Sequence, residues 1–356
     1  MDTAIPSGFS LFEQDLNIIA TQTDDVLYDF ENGNVFITGA SGFFGIWLVE
    51  AFLWMARERQ LNLTVTVLLR DAGRFFTRYP HLRDNPALRW VEGDLETFEF
   101  PVQSVSHIIH AASVPNLDGR DSWASEHVRA GVLGMSRILK LAEEKKIRSL
   151  LVTSSGGVYT SVLECRGGNG FVEEVDSISA LTSEKIVYGQ TKRMMEIMSA
   201  AEARKHGFKL AIARCFAFVG PYLPMDANYA IGNFIRDARE RKCIVISGDG
   251  TPLRSYLYAA DLAASLIRLL VKCRSGVPYN IAGTEVLSIK QLGLLVAKCH
   301  GMPNESVKIM TPATPDAPIN QYLADINKAR NDGLLCNSTS LVDAIARTSK
   351  WLDLKA

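Results

Sequence analysis

Short apolar, β-branched runs alternate along this chain with stretches whose apolar residues recur every three to four positions. Val35-Phe36-Ile37-Thr38, Leu63 to Leu69, Leu88 to Gly93, Val105 to His110 and Leu150 to Thr153 read as strands. Between them, Ile46 to Arg59 and Val128 to Lys145 carry helical spacing, the second with Val132, Met135, Ile138, Leu139 and Ala142 on one side. This alternation, from residue 34 to about 155, predicts an α/β fold built on a doubly wound parallel sheet. In such sheets ligands sit beyond the carboxyl ends of the strands. Ahead of the first strand, Leu11 to Phe30 predicts one or two short amphipathic helices, read as a flap packed on the sheet. Further helices are expected over Tyr188 to about Lys205, Leu262 to Lys272 and Leu341 to Leu352, with a proline-rich surface loop over Thr311 to Pro318.

Composition changes this picture little. The 356 residues, 47% apolar and 22% charged, suffice for one extended domain or two lobes. A net charge of -1 gives no electrostatic case for nucleic acid or an anionic membrane. Any anionic ligand must therefore be met by local arginines. The six cysteines are scattered with no C-x-x-C pair, which fits reduced thiols in a cytoplasmic protein; no metal site is read from the chain. No basic-then-apolar leader is visible after Asp2, and no stretch approaches the ~20 apolar residues of a membrane helix.

The chemistry gathers at the strand ends. After the first strand, Gly39, Gly42 and Gly45 punctuate a turn that leads into a helix. Gly39 permits the tight turn, Gly42 lets the backbone approach a pyrophosphate, and Gly45 lets the helix pack close to the strand. The helix N-terminus then offers its amides to the phosphates. The second strand ends not in an acidic residue for a ribose hydroxyl but in Arg70, followed by Asp71 and Arg74. A guanidinium suits a 2′-phosphate, which tilts the cofactor from NAD towards NADP. Ala111-Ala112-Ser113 follows the fourth strand with small residues against which a cofactor can lie. Ser155 follows the fifth strand, and Tyr188 and Lys192 lie four apart on one helical face. A nearby ammonium favours the phenolate and fits tyrosine for acid/base work.

With TGASGFFG (38–45), GDL (93–95), HAAS (110–113), TSSGGVY (153–159), YGQTK (188–192), ARCFAFVGP (213–221), GDGTPLRSYLYAADLA (248–263), YNIAG (279–283) and ADINKAR (324–330), the chain resembles the extended short-chain dehydrogenase/reductase family, the nucleotide-sugar epimerases, dehydratases and decarboxylases. The resemblance implies a Rossmann lobe over 34–215, with returns from about 255–285, after an N-terminal extension of residues 1–33. Residues 216–356 would then mainly hold a nucleoside diphosphate sugar. It implies Ser155, Tyr188 and Lys192 as the catalytic triad. The cofactor would lie on Gly39, Ser41, Gly42, Phe43, Phe44, Gly45, Arg70, Asp94, Leu95, Ala111, Ala112, Ser113, Tyr188 and Lys192. Ser155, Gly156, Asn233 and Arg254 would contact the substrate, Arg254 at its diphosphate.

Departures from the family pattern narrow the reaction. Dehydratases carry Asp-Glu directly after the Ser/Thr, and decarboxylases keep a Glu there; this chain has Gly156 and Gly157. Eliminating water needs proton donors and acceptors at the sugar, and glycines supply none. Glu164, Cys165, Glu173 or Glu174 are the substitutes the following loop offers, the two later glutamates reading better as structural or solvated. Gly131 and Ala217 stand where relatives carry Asn. A glycine pair is expected to leave room for a sugar ring to turn over, which suits 4-epimerisation. Dehydration or one-way keto-sugar reduction on the same scaffold is the alternative, and a non-catalytic cofactor sensor a remote third. Family members commonly pair two long helices across a two-fold axis. Here Met135, Leu139, Met194, Met195 and Met198 are expected to supply the contact of a homodimer.

Overall fold

The computed structural model describes residues 11–113, 123–159, 170–174, 184–227, 229–314 and 319–355. Helix α1 (Glu13–Thr23) runs into a 3-10 turn (Asp24–Phe30), and then β1 (Gly33–Thr38), α2 (Phe43–Glu58), β2 (Leu63–Leu69), α3 (Ala72–Arg78), β3 (Leu88–Glu92) and β4 (His107–His110) follow. After them come α4 (Trp123–Lys145), β5 (Ser149–Ser155), α5 (Glu184–His206), β6 (Lys209–Cys215) and β7 (Phe218–Val219). The chain continues through α6 (Ala230–Glu240), β8 (Ile244–Ile246), β9 (Leu253–Ser255), β10 (Leu257–Tyr258), α7 (Ala259–Lys272), β11 (Pro278–Ile281) and β12 (Val286–Ser288). It closes with α8 (Ile289–Cys299), β13 (Val307–Ile309), β14 (Gln321–Tyr322), α9 (Asn327–Asn331) and α10 (Leu341–Lys355).

Among the described residues, seven strands form one parallel sheet in the order β11-β6-β5-β4-β1-β2-β3. β1 and β5 are buried along their whole length, which is why they read as unbroken apolar runs rather than alternating ones. Thr38 pairs with His110, so the glycine turn and the HAAS segment leave the sheet side by side. Ser155 pairs with Cys215 in the same way. Outside this sheet, β12-β9-β14, β8-β13 and β10-β7 form three small sheets, with α6, α8 and α10 packed around them.

Helix α2 is buried on every side from Gly45 to Ala56, because it lies between the sheet and a second layer made by α1 and α7. The N-terminal helix thus packs on helices, not on the sheet as expected. The carboxylate of Asp15, itself fully buried, accepts from Tyr258 Oη at 2.7 Å and Arg347 Nη1 at 2.6 Å and so ties α1 to β10 and α10. Glu50, buried within α2, takes the Leu11 amide at 3.1 Å and the Tyr222 hydroxyl at 2.9 Å, with His81 Nε2 at 3.2 Å. A buried carboxylate needs such partners, and these three join separate stretches of chain.

α4 packs along α5, and a Cβ on Gly131 would collide with Thr191 Cγ2. Glycine at 131 therefore sets the close approach of the two helices. Most of the side chains expected at a homodimer contact are not at the surface. Met135, Leu139 and Met195 lie in the monomer's own core, and Met198 packs against it, because α4 and α5 cover that sheet face together. The exposed apolar side chains on these helices are Val128, Leu133, Met194 and Ile197.

Candidate active site

The turn after β1 is built as a cradle. Gly39 has φ +72°, and a Cβ there would meet the Ala111–Ala112 backbone at 2.7 Å, so the first and fourth strand ends touch only through glycine. A Cβ on Gly45 would collide with the Gly39 carbonyl, whereas one on Gly42 would meet only that carbonyl, at 3.2 Å, and otherwise open space. Gly42 caps α2 with no side-chain hydrogen bond, leaving the amides of Phe43, Phe44 and Gly45 to be met by something other than a side chain. A pyrophosphate fits this cradle: open space over Gly42, amides ahead, positive helix end. Around it, Tyr79 Oη donates to the Ser41 carbonyl at 3.2 Å, and Ala112 N donates to Thr38 Oγ1 at 3.3 Å. The Phe44 ring packs edge-on against Phe218, so its side chain is structural and its amide faces the turn.

The remaining expected cofactor residues occupy the same edge of the sheet. Arg70 is exposed just past β2; the neighbouring Asp71 caps α3 by accepting the Arg74 amide at 2.7 Å. Asp94 is exposed past β3, accepting the Glu96 amide at 2.9 Å, and Leu95 fits against Gly134 of α4. Ser113 is exposed past β4. His110, beside the cradle, has its Nδ1 2.8 Å from Thr38 Oγ1, and burial first, then the Lys192 charge, lowers its pKa to about 3.

Ser155, Tyr188 and Lys192 come together where β5 ends against α5. Ser155 Oγ accepts the Gly157 amide at 3.0 Å, and its hydroxyl acts to lower the Tyr188 pKa. Lys192 is 3% exposed and donates to the Thr153 carbonyl at 3.0 Å; burial lowers its ammonium to about 8. Its Nζ lies 6.0 Å from the Tyr188 ring centre, aimed at a carbonyl rather than at the phenol oxygen. Burial raises the Tyr188 pKa, and the Ser155 hydroxyl lowers it in part. The Lys192 ammonium therefore faces the Thr153 carbonyl, and the phenol beside it keeps a raised pKa.

The glycine pair after Ser155 is not open space. A Cβ on Gly156 would meet Tyr322 Oη at 2.7 Å and the Phe216 ring at 2.8 Å, and one on Gly157 would meet the Tyr188 ring at 3.0 Å. Aromatic side chains occupy the room that was expected for a turning sugar, and glycine is there to admit them. Tyr322 reaches this point from β14 and lies with its ring centre 4.8 Å from that of Phe216. Sequence reading missed Tyr322 and Phe216. The signal present was one aromatic two residues ahead of the ADINKAR run and one inside ARCFAFVGP.

The substitute carboxylates are committed elsewhere. Glu173 accepts the Asn280 amide at 2.9 Å and pairs with Lys328 at 3.4 Å; Glu174 also pairs with Lys328. Glu164 and Cys165 lie outside the described residues. Behind the site, Glu196 binds Arg214 through Oε2 at 2.8 Å and accepts the Ser154 hydroxyl at 2.5 Å. Arg214 in turn donates to Tyr159 Oη at 2.7 Å. This buried network fixes the strand end that carries Ser155.

Arg254 stands in β9 beside Tyr322, its guanidinium 5.6 Å from that ring centre and Nη1 bonded to Asn320 Oδ1 at 3.0 Å. Half-buried, with no described carboxylate paired to it, it is suited to an anion. Asn233 is half-buried on α6, one turn after Tyr229, whose carbonyl accepts its amide at 3.0 Å; its Oδ1 accepts from Arg236 at 3.3 Å.

The sequence model of the NAD dependent epimerase/dehydratase family matches residues 35–282. Among curated proteins, the chain is 27% identical over 304 residues to UDP-glucuronic acid decarboxylase 3 of Arabidopsis thaliana, covering 84% of this chain and 83% of that protein. It is 24% identical over 329 residues to UDP-glucuronate 4-epimerase of Thermodesulfobacterium geofontis, covering 90% and 96%. Among solved structures, UDP-glucuronic acid 4-epimerase from Bacillus cereus, in complex with UDP-glucuronic acid and NAD, superposes with a TM-score of 0.74 at 20% identity, covering 91% of this chain and all of that one.

Proposed function

The chain belongs to the NAD dependent epimerase/dehydratase family, and from that membership we propose that it is a nucleotide-sugar epimerase working through a transient keto-sugar. The observation that carries this is the make-up of the site. Hydroxyls and one ammonium surround Ser155, while Glu173, Glu174 and Glu196 are bound into structural pairs. Such groups suit oxidation and reduction at one carbinol carbon, and among the described residues they give no carboxylic acid/base pair for elimination.

Held on the glycine cradle, NAD(P) supplies the acceptor and donor of hydride. Tyr188 Oη takes the proton of the sugar hydroxyl and later returns it to the same oxygen. Ser155 Oγ hydrogen-bonds that oxygen, and Lys192 is held near the phenol by the Thr153 carbonyl. Arg254 meets the diphosphate, Asn233 the nucleotide, and the Gly156 backbone borders the sugar, with residues outside the large sheet from 216 on forming most of the sugar lobe. Arg70 favours NADP. Val128, Leu133, Met194 and Ile197 form the patch of a homodimer, and the free cysteines fit a cytoplasmic enzyme.

Purified protein incubated with UDP-, CDP-, GDP- and dTDP-sugars, followed by NMR, tests the reading. A product inverted at one carbon without net NADPH consumption is expected, and Tyr188→Phe should lower its turnover at least ~10²-fold while cofactor binding persists. A decarboxylated, 6-deoxy-4-keto or olefinic product would establish the other reading, which the decarboxylase relative favours. Stoichiometric NADPH oxidation would make the protein a reductase.

A further inference from the structure

We propose that His127 is a positioning residue: its imidazole packs against the Tyr188 ring and holds the phenol in place beside Gly157 and Ser155. The inference rests on the epimerase reading only for the work that Tyr188 does, since the ring contact is the same whichever sugar is bound.

A phenol on a helix is fixed at its Cα, but its hydroxyl sits at the far end of two side-chain torsions. A group that takes a proton at every turnover must have those torsions held by its neighbours. Tyr188 is only half-buried near the start of α5, so few neighbours are available to do this. Along one edge of the ring stands Gly157: a Cβ there would lie 3.0 Å from Tyr188 Cδ1, 3.1 Å from Cε1 and 3.4 Å from Ser155 Oγ. One point in space thus borders both the phenol and the serine. From α4 comes His127, whose ring centre lies 5.2 Å from that of Tyr188 with the planes 33° apart, inside the range at which aromatic rings attract. His127 is itself held, because Trp123 stacks on it at 5.0 Å and 27°, and both rings are buried. The two lie four residues apart and so share one side of α4.

Helix spacing makes this contact. Gly131 follows His127 by one turn, Thr191 follows Tyr188 by nearly one, and a Cβ at 131 would collide with the Thr191 methyl. The glycine that lets α4 approach α5 therefore also lets the imidazole reach the phenol. Lys192 gives the ring no comparable support, its Nζ being 6.0 Å from the ring centre and bonded to the Thr153 carbonyl. What the contact asks of residue 127 is a flat ring. A ringless side chain of similar size fills the space but leaves the phenol free to turn.

The measurement is the flipping rate of the Tyr188 ring in the NAD(P)-loaded protein, read by 19F NMR of 3-fluorotyrosine with the resonance assigned through Tyr188→Phe. It needs no sugar, so it stands whether or not the sugar screen succeeds. His127→Phe keeps a flat ring and should leave the rate within ~3-fold of wild type, whereas His127→Leu and His127→Gln should each raise it at least ~10-fold. The glutamine keeps a polar head without a ring, and either ringless variant serves if the other does not fold. An unchanged rate in a folded ringless variant would overturn the proposal. So would a phenylalanine variant that flips as fast as the ringless ones, since the polar atoms of His127 would then be what matters. With a substrate in hand, kcat should fall ~10- to 10²-fold in the ringless variants with KM nearly constant, and phenylalanine should restore it. Faster flipping with an undiminished kcat would dismiss the positioning role.

Discussion

Lys192 shows how burial changes a single residue's behaviour. Its ammonium titrates near 8 in the fold against an ordinary 10.5, because it lies 3% exposed with one carbonyl as hydrogen-bond partner. Below pH 8 both folded and unfolded chains carry the proton; between 8 and 10.5 the unfolded chain binds more, so this residue's contribution makes stability rise with pH across that window. Lys192→Met should therefore stabilise the protein at pH 7 by something on the order of 1–3 kcal/mol, while abolishing turnover. Urea unfolding of both proteins at pH 7 and again above pH 9 checks this: the gain should shrink at the higher pH, and a constant gain would refute it. Arg70 supplies a second residue-scale prediction. Exposed beside the cradle, with the neighbouring Asp71 engaged in capping α3, it should discriminate cofactors, and Arg70→Ala should weaken NADP relative to NAD by ~1.5–3 kcal/mol. Equal losses in titrations with the two cofactors would make it a bystander.

Between residue and molecule, the decisive element pair is α4 and α5. Their separation is set where Gly131 meets Thr191, the residue just before Lys192. Gly131→Ala should push the helices apart and cost roughly 1–3 kcal/mol in overpacking. Adding Thr191→Ser removes the methyl that the new Cβ would strike, so the double variant should recover most of the loss. Thermal unfolding of the two singles and the double decides it, and additive losses would show that the contact is not the cause. The same pair explains a misreading. Met135 and Met195 looked like surplus apolar surface from their spacing, yet each faces the sheet layer that the other helix helps to cover. Periodicity marks a buried stripe, but it does not say whether a sheet or a second subunit buries it.

Across the whole molecule, four exposed apolar side chains on these helices remain to be covered. A two-fold axis beside α4 and α5 would bury them as a four-helix contact. Light scattering at micromolar concentration should give twice the chain mass, and Ile197→Asp should return it to the single mass. A wild-type monomer that persists as concentration rises would dismiss the dimer.

The family, the order of strands and helices and the place of the glycine cradle were legible because each rests on local pattern. β1 is six buried residues followed by a turn that only glycine makes, and Tyr188 and Lys192 share a face by helical geometry alone. What escaped the sequence depends on contacts between distant segments. Gly156 and Gly157 were read as open room because a missing side chain is all that a sequence displays; Tyr322 and Phe216, arriving from elsewhere in the chain, fill that room. The same holds for the groups around the phenol. Spacing placed an ammonium near Tyr188, but only the packed interior turned it towards the Thr153 carbonyl and set Ser155, with a second tyrosine behind it, against the phenol. Local propensity and period are properties of neighbours in the chain, whereas the protonation state and free volume of a site belong to whichever groups the fold brings within a few ångströms.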